Sequence, residues 1–287
     1  MTPDHTPLKV LVTGAAGYVG RHVTRALLEH GHDVTAVVRS ERPGVVDGRA
    51  RIVEADLLSR DTDVAALTDE VPDVVVHLAW QAGFAHNSHV HMERLSDHFR
   101  VLERWADAGV GRIAALGSMH EIGYHEGMVS ADTPTAPLSL YGIAKDALRR
   151  VTIEHLGSRT ETTWLRAYYI FGDDRRNQSI FTRLLAAADE GQTTFPFTSG
   201  RNAYDFIRVE ALGEQIAVAS THPGGTGIIE VCSGEPTTLG EQVERFIADN
   251  DLGIALEYGA FPDRPYDSPV VYGDASRIRS LLGAAAG

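Results

Sequence analysis

The stretch TGAAGYVG, residues 13–20, decides how the chain begins to fold. Its glycines, Gly14, Gly17 and Gly20, stand three apart. Before it runs LKVLVTG (8–14), apolar and β-branched; after it runs GRHVTRALLEHG (20–31), apolar at helical intervals and closed by Gly31. A strand, a tight glycine turn and a helix in that order form the opening unit of a dinucleotide-binding α/β fold. Gly14 permits the turn, Gly17 lets backbone approach a pyrophosphate, and Gly20 lets helix and strand pack closely. With Tyr18 and Val19 completing the loop, the pyrophosphate would meet the positive end of the helix.

The same alternation continues outward. HDVTAVVRS (32–40), ARIVEADLL (50–58), PDVVVHLAW (72–80), GRIAALGS (111–118) and TTWLRAYYIFG (162–172) read as strands. DVAALTDE (63–70), MERLSDHFRVLERWADAG (92–109) and 139–157 read as helices between them. Strands that are apolar throughout, rather than alternating, belong to a parallel sheet covered on both faces. Right-handed crossovers then predict a doubly wound Rossmann α/β fold. Past about residue 172 the alternation breaks, and Gly, Pro and aromatic residues gather at 191–206 and 257–273. We expect a dinucleotide-binding domain over 1–172, joined again by 203–224. A smaller C-terminal α+β substrate domain takes 173–202 and 225–287, with a cleft between the two.

The residue ending the second strand of such a unit selects the cofactor, because it faces the adenosine ribose. An acid there suits the 2′-hydroxyl, an arginine the 2′-phosphate. Here the strand ends AVVRS, with Arg39 at that point, Ser40 and Arg42 beside it, and no acid. This predicts NADP(H), with NAD(H) as the alternative.

Composition excludes several classes. A net charge of −13 over 287 residues is the opposite of a nucleic-acid footprint. The single cysteine, Cys232, permits neither an internal disulfide nor a thiolate zinc cluster and suits a reducing cytoplasm. No apolar run suggests a targeting segment or a membrane span, so a cytoplasmic protein is expected. HNSHVH (86–91) holds three histidines, but with no cysteine nearby it reads as a polar loop and no metal is expected. A hydrolase triad is not expected, since the chain lacks G-x-S-x-G at a strand-to-helix elbow. FPF (195–197) reads equally as a nucleobase slot or as core.

Four motifs stand in order: TGxxGxxG, Asp56-Leu57 after the third strand, HLA (77–79) after the fourth, and Tyr141-x-x-x-Lys145 in SLYGIAKDALRR (139–150). Together they resemble the extended short-chain dehydrogenase/reductase family, whose members mostly act on nucleotide-diphosphate sugars. LRAYYIFG (165–172), YDFIRVEALGEQIAVA and RPYDSPVVYGDASRIRSLLG resemble further segments of that family, so the likeness covers nearly the whole chain. It implies cofactor contacts at Asp56, Leu57, Leu78 and Ala79. It also implies that Ser118 holds the reacting oxygen, that Tyr141 is the general acid or base, and that Lys145 lowers the phenol pKa and binds the nicotinamide ribose.

Departures from the pattern narrow the reaction. Sugar-nucleotide 4,6-dehydratases of the family carry Asp-Glu where this chain has Met119 and His120, so dehydration is not expected. Tyr169 stands where the family has Asn. Arg201 and Arg264 are the expected diphosphate clamps, and Arg264 with Asp267 matches the family's Arg-x-x-Asp. His120 is expected to meet a sugar hydroxyl. GSMHEIGYHEG with PLSLYGIAK resembles reductases of 4-keto-6-deoxy sugar nucleotides. The expected activity is NADP(H)-dependent reduction of the C4 ketone of a thymidine-linked sugar, by a homodimer joined through 92–109 and 139–157. The rivals are a C4 epimerase with tightly held NAD and a non-catalytic dinucleotide sensor.

Overall fold

In the computed structural model, which describes residues 6–40, 44–172, 175, 179–263 and 267–285, the run Lys9–Thr13 lies within a seven-stranded sheet. The first half runs β1 Lys9–Thr13, α1 Gly20–Glu29, β2 Asp33–Val38, β3 Arg51–Glu54, β4 Val74–His77, α2 Val90–Glu93, α3 Leu95–Asp107 and β5 Arg112–Ser118. Then come β6 Gly127–Val129, α4 Leu140–Arg150, β7 Glu161–Ala167, β8 Tyr169–Phe171, α5 Ile180–Asp189, β9 Thr194–Pro196, β10 Ala203–Arg208 and α6 Val209–Thr221. The chain closes with β11 Gly227–Val231, β12 Pro236–Thr238, α7 Leu239–Asp249, β13 Ala255–Glu257, β14 Val270–Gly273 and α8 Ser276–Ala285. The main sheet has the order β3-β2-β1-β4-β5-β7-β11 and every pairing is parallel.

Alternate residues of the same strands serve opposite faces of this sheet. Val10, Val12, Val34, Ala36, Val74 and Val76 pack with Val23 and Leu27 of α1 and Leu212 and Ile216 of α6. Leu11, Val37, Val75 and Ile113 pack with Leu102 and Trp105 of α3 and Leu148 of α4. Both faces are therefore dry, which is why the strands show no polar alternation. Burying each large aliphatic side chain contributes about 1.5–3 kcal/mol.

A second sheet, β12-β10-β14-β6 with β8 also on β10, and a β9–β13 pair form the smaller layer. Buried Asp205 of β10 fastens it to the main sheet's last strand. Its carboxylate accepts from Ser233 N (2.8 Å), Gly234 N (2.9 Å) and Gly273 N (3.1 Å).

Several expectations are corrected. Gly227–Val231, expected in the substrate domain, is the edge strand of the main sheet, because GIIEV pairs with β7 from Gly227↔Thr163 to Val231↔Ala167. Gly127–Val129, expected in the first domain, pairs with β14 in the second sheet. DVAALTDE makes only a single 3₁₀ turn, Ala65–Leu67. Asp63 accepts from Ala65 N at 3.0 Å, and one short turn is too little to propagate a helix. The helix expected over 92–109 is broken at Arg94 into α2 and α3. The helix over 139–157 is α-helical only to Arg150 and then widens through Val151–His155, where Thr152 Oγ1 donates to Leu148 O. The strand over 162–172 splits at Tyr168, with β7 and β8 serving different sheets. Phe195 and Phe197 lie in the core.

Candidate active site

The glycine turn is built to lie against backbone. Gly14 has φ +69°, and a Cβ there would stand 2.8 Å from Ala79 N. A Cβ on Gly20 would stand 2.1 Å from Gly14 O. Neither position admits a side chain, so β1, α1 and the Leu78–Ala79 segment after β4 meet closely. The first turn of α1 has no side-chain cap and no acidic residue. Arg21, His22 and Val23 N–H bond to Gly17 O and Val19 O, so it is the positive end of the helix dipole that suits a dinucleotide pyrophosphate. Tyr18 OH donates to Gly172 O at 2.7 Å, tying the loop to the end of β8, and Val19 precedes the first helical residue. Arg39 and Ser40 follow β2 and are exposed; Arg42 lies outside the described residues. Asp56 accepts from Leu58 N at 3.2 Å, and Leu57 is buried.

Beneath the turn runs a buried polar chain. Thr13 Oγ1 accepts from Leu78 N (3.1 Å) and Ala79 N (3.2 Å). A hydroxyl has two acceptor sites and one proton. Thr13 therefore donates to His77 Nδ1 (2.9 Å), and His77 Nε2–H donates to His98 Nδ1 (3.0 Å). Burial holds both imidazoles neutral, with pKa values lowered to about 3 for His77 and about 2 for His98.

Ser118 is the last residue of β5, and its Oγ accepts from His120 N at 3.3 Å. Buried Glu121 accepts from Ser118 N at 2.7 Å and so fixes that strand end. Ser139 caps α4 by accepting from Gly142 N at 3.1 Å, and α4 carries Tyr141 and Lys145 one turn apart. Tyr141 N donates to His86 O at 2.8 Å. Ser118, Tyr141 and Lys145 thus come together at the end of β5, beside the glycine turn.

Their charge states differ from expectation. Burial pushes the Tyr141 phenol up to about 12, although the Ser118 hydroxyl beside it pulls the other way and Glu121 adds to the rise. Lys145 was expected to lower that phenol. Its ammonium instead donates to Leu116 O at 2.7 Å and stands 3.8 Å from the Trp80 ring centroid, against 5.9 Å for the Tyr141 ring. Burial lowers Lys145 to about 7, with Glu121 opposing. The Tyr141 phenol is therefore protonated at neutral pH.

On the open side stand aromatic rings. His86 lies parallel to Tyr141 at 5.3 Å, His120 is 4.2 Å from His86 and 5.9 Å from Tyr141, and Tyr169 is 6.4 Å from His120. Burial first, and then His86, lower His120 to about 3, so it is neutral. Met119 is buried. Of the HNSHVH histidines, His86 stacks on Tyr141, His91 binds Trp80 Nε1 and Ala85 O and lies 5.2 Å from the Tyr141 ring, and His89 is exposed. Arg201 is exposed on the loop before β10, and Asp267 lies just before β14. Asn202 Nδ2 donates to Ser268 O at 3.0 Å and His125 N to Ser268 Oγ at 3.2 Å, so these loops adjoin the Ser118 segment. Arg264 lies outside the described residues.

Sequence reading missed Trp80, His98, Glu121 and His86. Trp80 could have been noticed, since it directly follows HLA; the others are recognisable only through partners distant in sequence.

Comparison with known proteins agrees with this architecture. The model of the NAD dependent epimerase/dehydratase family matches residues 10–232. The chain is 39% identical over 269 residues to a dTDP-6-deoxy-L-talose 4-dehydrogenase (NAD(+)) of Aggregatibacter actinomycetemcomitans, covering 93% of this chain and 99% of that protein. It is 25% identical to a UDP-glucose 4-epimerase of Corynebacterium glutamicum, covering 96% and 90%. The solved structure of MoeE5 in complex with UDP-glucuronic acid and NAD superimposes with a TM-score of 0.80 at 26% identity, covering 96% and 92%. With the glycine cradle, the parallel sheet and these matches in hand, the chain belongs to the NAD dependent epimerase/dehydratase family.

Proposed function

We propose that the protein reduces the C4 ketone of a thymidine-diphosphate 4-keto-6-deoxy sugar, using NADP(H) or NAD(H). The observation that carries this reading is the gathering of Ser118, Tyr141 and Lys145 at the end of β5, beside the Gly14 turn. The substrate class rests on the 39% identity to a dTDP-6-deoxy-L-talose 4-dehydrogenase. Gly14, Gly17, Gly20 and the first turn of α1 would hold the pyrophosphate, and Lys145 the nicotinamide ribose. When bound, the dinucleotide supplies the hydride that C4 receives. Ser118 would polarise the ketone by donating to its oxygen, and Tyr141, kept protonated, would give its proton to that oxygen. His120 and Tyr169 would bound the sugar, and Arg201, Arg264 and Asp267 would meet the diphosphate side. A homodimer through α3 and α4 is part of the same reading.

The test is NADPH and NADH oxidation with a panel of keto-sugar nucleotides. Consumption with the 4-keto-6-deoxy sugar is the expected result. Inversion at C4 with no added dinucleotide would overturn it in favour of an epimerase.

Cofactor choice rests on exposed Arg39 after β2. Arg39→Asp removes a charge-assisted bond to the 2′-phosphate, of about 1.5–3 kcal/mol. NADPH binding should fall about tenfold or more while NADH binding holds or improves. An unchanged ratio of the two dissociation constants would remove the preference for NADP(H).

Met119 and His120 bear on the reaction type. Met119 offers no ionisable group and His120 is neutral. Incubation with thymidine-diphosphate glucose and NAD should therefore yield no 4-keto-6-deoxy product. Its appearance would show that an acid and base for elimination come from elsewhere.

A further inference from the structure

Lys145 is 4% exposed and one of only two lysines in the chain, the other being Lys9 at the surface. A buried ammonium needs compensation or it gives up its proton. One hydrogen bond, to Leu116 O, accounts for a single N–H. The nearest aromatic ring is Trp80, whose centroid lies 3.8 Å from Nζ against 5.9 Å for Tyr141, within the range of a cation–π attraction and to the ring type best suited to it.

Trp80 is not loosely placed. Its Nε1 donates to His91 Nδ1 at 3.1 Å, and His91 Nε2 is bonded in turn to Ala85 O. His98 lies nearly parallel to the indole, centroids 4.4 Å apart and planes 16° apart. His98 is held by His77, and His77 by Thr13 at the foot of the glycine turn. The indole is thus anchored at one side to α2 and at the other, through two imidazoles, to β4 and β1.

We infer that Trp80 is the positioning residue for Lys145, an anchored aromatic face that favours the ammonium form and holds it beside Tyr141 until a dinucleotide ribose takes it over. The inference rests on the reading of Lys145 as the ribose-binding lysine. The groups facing Lys145 are Leu116 O of β5, Glu121 of the turn after it, Tyr141 of α4, Trp80, and His77 and His98. Glu121 favours the charge, the imidazoles are neutral and do not oppose it, and burial works against it. Removing the indole leaves burial less opposed. The pKa of Lys145 then falls, and any activity that needs the ammonium is lost at lower pH than in the parent protein.

With so few lysines, protein labelled with ¹³C at lysine Cε gives a titration resolved residue by residue, and Lys9 is the internal control. Trp80→Leu should move the Lys145 midpoint down by roughly half to one and a half units, with Lys9 unmoved. Trp80→Phe keeps a weaker aromatic face and should shift less in the same direction; it serves also if the leucine variant does not fold. The alkaline limb of the activity profile should move by the same amount. A Lys145 midpoint unchanged in both variants overturns the inference. A midpoint that moves while the activity profile stays still leaves the platform standing and removes Lys145 from the proposed chemistry.

Discussion

Tyr141→Phe should cost about two to four orders of magnitude in turnover while dinucleotide affinity holds. General acid–base catalysis contributes about 10²–10⁴-fold, which is roughly 3–5 kcal/mol of barrier. The variant keeps the ring that stands among His86, His91, His120 and Trp80, so packing is conserved and only the proton is lost. The phenol, pushed up to about 12, is protonated throughout the working range, so the parent enzyme should show no alkaline limb from this residue below that value. Lys145→Ala should differ by weakening dinucleotide binding as well. The measurements are steady-state reduction and a fluorescence titration of the dinucleotide on both variants. A Tyr141→Phe protein retaining more than about a tenth of parental turnover, outside the expected range, would make the phenol a mere ring on a helix face.

What was legible in the sequence was local or periodic. TGAAGYVG announces its turn because Gly14 must take φ +69° and Gly20 must admit Gly14 O, and both demands are met within eight residues. Continuous runs such as KVLVT and VVVH announce a doubly covered sheet for the same reason. Tyr141 and Lys145 are readable because one helical turn joins them. DVAALTDE misleads because its pattern is sound but too short to pay for helix nucleation. The strand GIIEV could not be assigned from its own residues, since its place depends on β7, some sixty positions earlier. The same distance hides the inner site. His77 meets His98 at a separation of 21 residues, and Glu121 meets Trp164 at 43. The upward shift of Tyr141 is not legible in the sequence, because the spacing to Lys145 shows there and the burial does not.

Arg166→Met should destabilise the fold by about 3–5 kcal/mol, the cost of removing one partner from a buried ion pair. Arg166 has no exposed side-chain surface; its Nη1 is 2.6 Å from Glu230 and its Nε 3.4 Å from Glu121, both also buried. Glu230 further accepts from Tyr168 OH at 2.8 Å, and Glu121 from Trp164 Nε1 at 3.0 Å. Burial raises both carboxyls, Glu230 to about 7 from its ordinary 4.5, while Arg166 pulls both down. A carboxyl raised on folding gives stability that is complete below its unfolded pKa and lost as pH climbs through the folded one. In the parent protein Glu230 therefore lowers stability between about 4.5 and about 7. Without the guanidinium both carboxyls titrate higher, the losing window extends upward, and the variant should be hurt most at alkaline pH. Adding Glu230→Gln should flatten part of that slope, because an amide cannot ionise. Denaturant midpoints measured from about pH 5 to about pH 9 decide it. Parental stability of Arg166→Met at the alkaline end would mean that the two glutamates are already neutral and that Arg166 balances no charge. Because Glu121 holds the Ser118 amide, the same substitution should also loosen the end of β5, so lost stability and lost turnover should appear together.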